Sequence, residues 1–367
     1  MKFICSRTNL IKSINIAQRA VPVRSSMPIL SCILVQAFDN GIFFQSNDME
    51  LCIETRLIGT VLETGILAIE AKMFSEIARK LPEEEVVITT NERDQVLIVS
   101  GSARFHLMGQ NGDEFPGLPE VTREEGISIS QYSLKNIISQ TIFCTLPQDQ
   151  NLMLTGEYFE IDGSELRVTA LDGHRIAIRR SLLNQDCGKK SVIIPGKALS
   201  EISKILTGEI DDRVTFYFNG NHVVFLWEGT TLVSNLIDGN YFNTSRMISS
   251  EYQTQMVVNR QRLISCIDRA ALFVRENDKK PIIFDITDRN LNLSIETPLG
   301  AMSEDVSIAK EGRDLMIGFN PKFLMDALRA IEDEEVTMYF INAKSPCTIK
   351  DLQNSYTYLV LPVNFLR

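Results

Sequence analysis

Apolar residues recur at helical spacing in three stretches that also repeat one another. KMFSEIARKL from Lys72, KALSEISKIL from Lys197 and KFLMDALRAI from Lys322 follow at intervals of 125 residues. Each carries charged residues at i, i+4 and i+7: Lys72/Glu76/Arg79, Lys197/Glu201/Lys204 and Lys322/Asp326/Arg329. The apolar residues fall opposite, at Phe74, Ile77, Ala78 and Leu81 in the first copy and Leu199, Ile202, Ile205 and Leu206 in the second. This is the pattern of a helix with one buried face, and it predicts helices over 72–81, 197–206 and 321–331. One such helix is commonplace. Three in phase at a domain-sized period predict a triplicated fold.

A second helix family opens each repeat after a short strand. Phe3-Ile4-Cys5 leads into 8–20, Ile127-Ser128-Ile129 into 131–146, and Met256-Val257-Val258 into 260–275. Leu10/Leu134/Leu263 and Ile14/Ile138/Ile267 supply the i, i+4 anchors of the apolar stripe. Alternating segments between and after the helices read as strands. They are 33–38, 41–46, 51–57, 85–90, 95–100 and 103–108, then 213–218, 223–227 and 231–236, then 335–341, 347–352 and 356–361, with Asp39-Asn40-Gly41 as a hairpin turn. Each repeat is therefore an α+β unit of two helices and many antiparallel strands.

Length agrees with that division, because 367 residues exceed one ordinary core. The pattern lapses over 109–126, with Pro116, Pro119 and the acids Glu120, Glu124 and Glu125, and over the polar stretch 238–253. Domains are accordingly expected over 1–121, 122–250 and 251–367. A composition of 44% hydrophobic and 23% charged residues is that of a soluble globular protein. The first twenty residues lack the apolar core of a signal peptide and no 18-residue apolar run occurs, so a cytoplasmic location without membrane contact is expected. Seven cysteines are scattered with no C-x-x-C pair, which points to reduced thiols rather than a metal site or disulfide framework.

A net charge of −10 argues against a nucleic-acid partner until its distribution is considered. The six predicted helices hold 14 Lys and Arg against 4 Asp and Glu, a net of +10, so the rest of the chain carries −20. Solvated helix faces are the plain explanation for any single helix. Helix propensity favours Glu as much as Lys, however, and leaves the imbalance unexplained. A basic helical layer on an acidic body is the footprint of a protein that faces phosphates on one side only. Contact with the backbone, independent of base sequence, is the form it would take.

Asp172-Gly173-His174-Arg175 is the most enzyme-like stretch, but no nucleophile or second acid accompanies it. In the repeat frame Asp172 corresponds to Asp48, which places the tetrad at a strand end and favours recognition or structure over catalysis. His106 and His222 stand singly on strand-like stretches without metal-ligand spacing. Gly196-Lys197 lacks the upstream glycine of a phosphate-binding loop. No cofactor is implied. The ending Tyr356–Val363 has two readings, an edge strand with alternate residues buried, or an apolar tail that walls a peptide groove.

Several of these stretches match one family. Met1-Lys2-Phe3, Met27-Pro28-Ile29-Leu30, Phe115-Pro116, Thr169–Arg175, Ile194-Pro195 with Lys197, and Leu361-Pro362 together resemble the β subunit of bacterial DNA polymerase III, the replicative sliding clamp. The resemblance spans the chain. It implies three similar domains, two chains closed head to tail into a ring, and helices lining the hole. Twelve helices at roughly 8–10 Å between neighbours give an inner circumference of about 100–120 Å, a diameter of roughly 30–40 Å, wide enough for a hydrated duplex.

The resemblance further implies a non-enzymatic processivity factor that encircles double-stranded DNA, is placed there by a clamp loader, and tethers the polymerase III alpha subunit and other proteins carrying a short Gln/Leu/Phe-type motif. It assigns DNA contact to Arg24, Lys72, Arg79, Gln148, Lys197 and Lys204. It assigns the partner groove to Leu154, Leu171, Gly173, His174, Arg175, Ile176, Phe242, Arg246, Met247, Ser345, Leu359, Val360, Leu361, Pro362 and Val363. For the homodimer seam it offers Phe105 and Leu107 against Leu272 and Phe273, residues that ordinary core packing would also explain. Three departures mark this chain: Leu152-Met153 where the family often has two tyrosines, Phe242 where it often has proline, and Asn364–Arg367 in place of a basic ending. A repeat-domain scaffold without DNA is the alternative, and it leaves the basic helices unexplained.

Overall fold

A computed structural model describes residues 1–119, 122–249, 251–274 and 280–365. Glu120, Val121, Ser250, Arg275, Leu366 and Arg367, which entered the domain limits, the acidic linker, one helix and the tail above, lie outside the described residues.

Among the described residues six α-helices stand where the apolar periodicity predicts them: α1 Arg7–Ala17, α2 Ala71–Lys80, α3 Gln131–Thr141, α4 Gly196–Ile205, α5 Arg260–Ala271 and α6 Pro321–Ala330. Their starts follow from capping chemistry. The Ser6 hydroxyl accepts from Asn9 N ahead of α1, and the Glu70 carboxylate accepts from Lys72 N and Met73 N ahead of α2. Asn259 and Asn320 accept from Arg262 N and Lys322 N, with Pro321 in the first turn of α6. The anchors Leu10, Ile14, Leu134, Ile138, Leu263 and Ile267 are all buried, as are Phe74, Ile77, Leu199 and Ile202. Ile205 is only half-buried. The predicted helices over 8–20 and 131–146 end in 3-10 turns at Gln18–Ala20 and Ile142–Cys144.

The chain forms two compact units, residues 1–131 with 204–236, and residues 132–203 with 237–367. In the first, a five-stranded antiparallel sheet ends on the strand Ala103–Met108, whose outer edge pairs with no other strand among the described residues. A nine-stranded sheet crosses the repeat frame, because Leu51–Leu57 pairs with Thr230–Asn235. Pairing two edge strands in this way removes two rows of open backbone groups. Helices α1 and α2 pack on one core of this unit with Phe3, Phe44, Phe74 and Ile98.

The second unit holds a twelve-stranded sheet, also closed across the repeat frame by Arg175–Leu182 against Tyr356–Val360. That pairing corrects the reading of the C-terminal strand as an edge. Tyr356–Val360 lies between Arg175–Leu182 and Cys347–Lys350 with all five residues buried. Helices α5 and α6 pack on the core that includes Leu263, Phe284, Phe319, Leu328 and Tyr358. Among the described residues no helix is long and apolar enough to cross a membrane.

Candidate nucleic-acid interface and partner groove

The observed helices hold 13 Lys and Arg against 4 Asp and Glu, so the basic bias survives the adjusted boundaries. Lys72 and Arg79 on α2, Lys197 and Lys204 on α4, and Lys322 and Arg329 on α6 are exposed. Arg24 lies in an exposed loop before Pro28, and Gln148 in an exposed turn after Cys144. Not every helix cation is at the disposal of a ligand. Lys12 pairs with Glu228 at 3.3 Å, and Arg269 grips Glu304 through two bonds of 2.8 and 2.5 Å. Arg260 donates to the carbonyls of Asp333 and Leu328, whereas Arg79 gives one bond to Asn15 across the α1–α2 pair and stays exposed with further N–H groups to offer.

The acids embedded in the triplicated helix are not equivalent. Glu76 is exposed, whereas Asp326 is turned into the second unit and held by Arg175 at 2.6 Å. Asp326 therefore leaves the exposed polar face on which the i, i+4, i+7 spacing of charges places it.

Arg175 belongs to the tetrad, which forms the turn between Glu165–Leu171 and Arg175–Leu182. Asp172 Oδ1 accepts from the backbone N–H groups of His174 and Arg175. Asp48 does the same for Glu50 and Leu51 in the first repeat, so the shared aspartate is a turn-former. Asp172 also accepts from Arg175 Nε at 2.7 Å through its other oxygen. The Arg175 guanidinium is completed by the Phe143 carbonyl at 2.6 Å and by the Phe323 ring, whose centroid lies 4.4 Å away. With its side chain 7% exposed, it holds the turn from behind and leaves His174 outward. The His174 ring stacks on Phe323 at 6.0 Å, and its carbonyl accepts from Leu361 N at 2.9 Å. The carboxylate is thus committed to structure, and a recognition turn is what the geometry supports.

Above this turn lies an apolar patch. Leu171, Ile176, Ile178 and Leu359 form its buried floor, and Leu154, Tyr241, Phe242 and Ile248 close it as half-buried walls. Phe242 meets Tyr241 edge-on at 5.6 Å, and Tyr241 stacks on Tyr158 at 4.9 Å, so aromatic rings fill the side where proline was expected. Met247 and Leu361 stand exposed, Arg246 ends a 3-10 turn, and Gly173 lies at the exposed tip of the tetrad. Ser345, Pro362 and Val363 are half-buried, Val363 N donating to the Gly318 carbonyl. Val360 is fully buried. Sequence reasoning missed Tyr241, Ile178 and Ile248. The period-2 alternation from Ile176 marks Ile178, whereas nothing local marks the other two.

The two ends offered for a dimer seam are also placed. Phe105 and Leu107 face the core from the open-edged strand, while Leu272, just past α5, is 80% exposed. Phe273 packs on the core of the second unit, its ring 3.0 Å from where a Cβ on Gly300 would sit. His106 is exposed on the same outer strand as Phe105, and His222 is half-buried. Six cysteines are buried and Cys187 is half-buried.

Models of the N-terminal, central and C-terminal domains of the DNA polymerase III beta subunit match residues 1–119, 128–243 and 245–364. The chain belongs to the DNA polymerase III beta subunit family. A beta sliding clamp of Staphylococcus epidermidis is 36% identical over 99% of both chains. Among solved structures, a putative DNA polymerase III beta subunit from Eubacterium rectale is 50% identical with a TM-score of 0.96, covering all of both chains. The DNA polymerase sliding clamp of Bacillus subtilis superposes with a TM-score of 0.95 at 32% identity, again over both full chains. The family's three domain matches follow the repeat deduced from the lysine-led helices, and each contains two of the six helices.

Proposed function

We propose that the chain acts as a DNA sliding clamp, a non-catalytic accessory subunit that encircles duplex DNA as a head-to-tail dimeric ring and tethers the replicative polymerase. The observation that carries this reading is the match of all three beta-subunit domains along the whole chain, in phase with its internal repeat. Domains 1–121, 122–250 and 251–367 are the units of that ring. Arg24, Lys72, Arg79, Gln148, Lys197 and Lys204 face the phosphates, supported by their exposure, and Lys322 and Arg329 join them by repeat equivalence. Phosphate contacts of this kind are salt-sensitive and carry no base preference, which suits a surface that moves along DNA. The apolar patch around Leu171, Ile176 and Leu359 receives the Leu and Phe anchors of short partner motifs, those of the alpha subunit and clamp loader among them, and raises their concentration at the template. Such a protein works in the cytoplasm.

Protein loaded on nicked circular DNA by a clamp loader is expected to co-elute with the DNA and to leave it when the circle is cut. Loss at the same rate from circular and linear DNA would refute encirclement.

For the seam, the open edge of Ala103–Met108 on one copy meets the exposed Leu272 of another. Leu272→Glu is expected to give monomers by light scattering with an unchanged circular dichroism spectrum, because Leu272 packs little in its own chain. A persistent dimer would refute this placement. Phe273 is less suitable for the test, since charging it also disturbs the core it packs on.

A further inference from the structure

One lateral row of register partners crosses the sheet of the second unit. Leu171 lies opposite Ile176, Ile176 opposite Leu359, Leu359 opposite Thr348, and Thr348 opposite Tyr339. Residues directly opposite in paired strands project from the same face. The first three are the floor of the apolar patch. The last two line a separate pocket of about 160 Å³, together with Met247, Tyr252 and Lys350, and Leu359 borders both. The patch therefore does not stop at Leu359.

The pocket has the makings of an aromatic site. Tyr252 and Tyr339 lie with centroids 5.0 Å apart at 59°, and Tyr252 remains 48% exposed. Lys350 Nζ sits 5.5 Å from the Tyr339 centroid, leaving an ammonium at the rim for a second ring face. A volume of about 160 Å³ is close to the ~150 Å³ cavity known to enclose a benzene ring. From Leu359 to Tyr339 is two strand spacings, roughly 9–10 Å, which an extended peptide covers in about three residues.

We infer that this pocket is an additional subsite of the partner groove, which takes an aromatic side chain about three residues outside the anchor that rests on Leu359. The inference rests on the groove reading above. Aromatic pairs bring about 0.5–1.5 kcal/mol beyond area burial, so a gain of about three- to tenfold in affinity is expected.

The test uses the full-length protein and fluorescent peptides bearing one Gln/Leu/Phe-type motif. Alanine, tyrosine or glutamate is placed three residues outside the motif, on either flank, and affinity is read by anisotropy. The tyrosine peptide is expected to bind about three- to tenfold tighter than the alanine peptide on one flank. Tyr252→Ala should remove that gain and leave the alanine peptide's affinity unchanged. Equal affinities on both flanks, a gain that survives Tyr252→Ala, or a gain with glutamate alone would each overturn the subsite. If the alanine peptide itself fails to bind wild type, the groove reading falls and the subsite with it.

Discussion

Replacing Arg175 with alanine is expected to lower stability by about 3–5 kcal/mol and to abolish partner-peptide binding. The size follows from what the substitution leaves behind. The Asp172 and Asp326 side chains are 6% and 23% exposed, and both direct a carboxylate at the guanidinium from within 2.7 Å. Removing the cation strands both acids in a partly dry site, the situation in which breaking a buried pair costs most. It also frees the Phe143 carbonyl and removes a cation from the Phe323 ring. The peptide effect follows from position, since the turn that Arg175 holds carries His174, and the His174 carbonyl fixes the chain at Leu361.

Asp326→Asn should cost less, roughly 1–2 kcal/mol, because Asp172 still pairs with the guanidinium and the amide oxygen still accepts. Alanine at His174 or Leu361 should weaken peptide binding with little change in stability, both residues being exposed. Urea unfolding together with peptide anisotropy checks the series. An Arg175→Ala protein as stable as Asp326→Asn would remove the network from its central place.

The same network shows what the chain's pattern could and could not disclose. Helix registers were legible, because an apolar stripe of period 3.6 has one way to face a core, and Leu10, Leu134 and Leu263 are all buried. So was the tetrad's place at a strand end, through its correspondence with Asp48. The fate of Asp326 was not. At about 100° per residue it sits roughly 40° from Lys322 toward Phe323, so it borders the buried side and not the middle of the polar face. What it meets there is Arg175, 151 residues away, and no local spacing reports that distance. The strand Tyr356–Val360 failed for a related reason. Whether a short apolar strand is an edge or an interior strand depends on its neighbours, here Arg175–Leu182 and Cys347–Lys350. Periodicity describes one element's faces; the partners of those faces are set by topology.

Glu157 is expected to cost the fold stability as pH rises above about 4.3, the ordinary value for glutamate, and Glu157→Gln should remove that part of the slope. Glu157 is fully buried on the strand Gly156–Asp162, and burial pushes its carboxyl well above the usual range, with the Thr141 hydroxyl opposing only in part. Thr141 Oγ1 donates to the Ile137 carbonyl at 2.8 Å and to Glu157 Oε2 at 3.0 Å, and one hydrogen shared between two acceptors offsets little of the cost of burying a charge. The nearby Tyr241 and Cys144 are themselves pushed up by burial and supply no countercharge.

The folded chain thus keeps a proton that the unfolded chain releases above about pH 4.3, so rising pH favours unfolding by up to about 1.4 kcal/mol per unit until the folded value is reached. Glutamine is neutral at every pH and its amide oxygen can accept from Thr141 in the carboxyl's place. The variant should therefore gain stability relative to wild type as pH rises above about 4.3, by at most about 1.4 kcal/mol per unit, read from urea midpoints at several pH values. Parallel pH curves for the two proteins would show that Glu157 is charged in the fold.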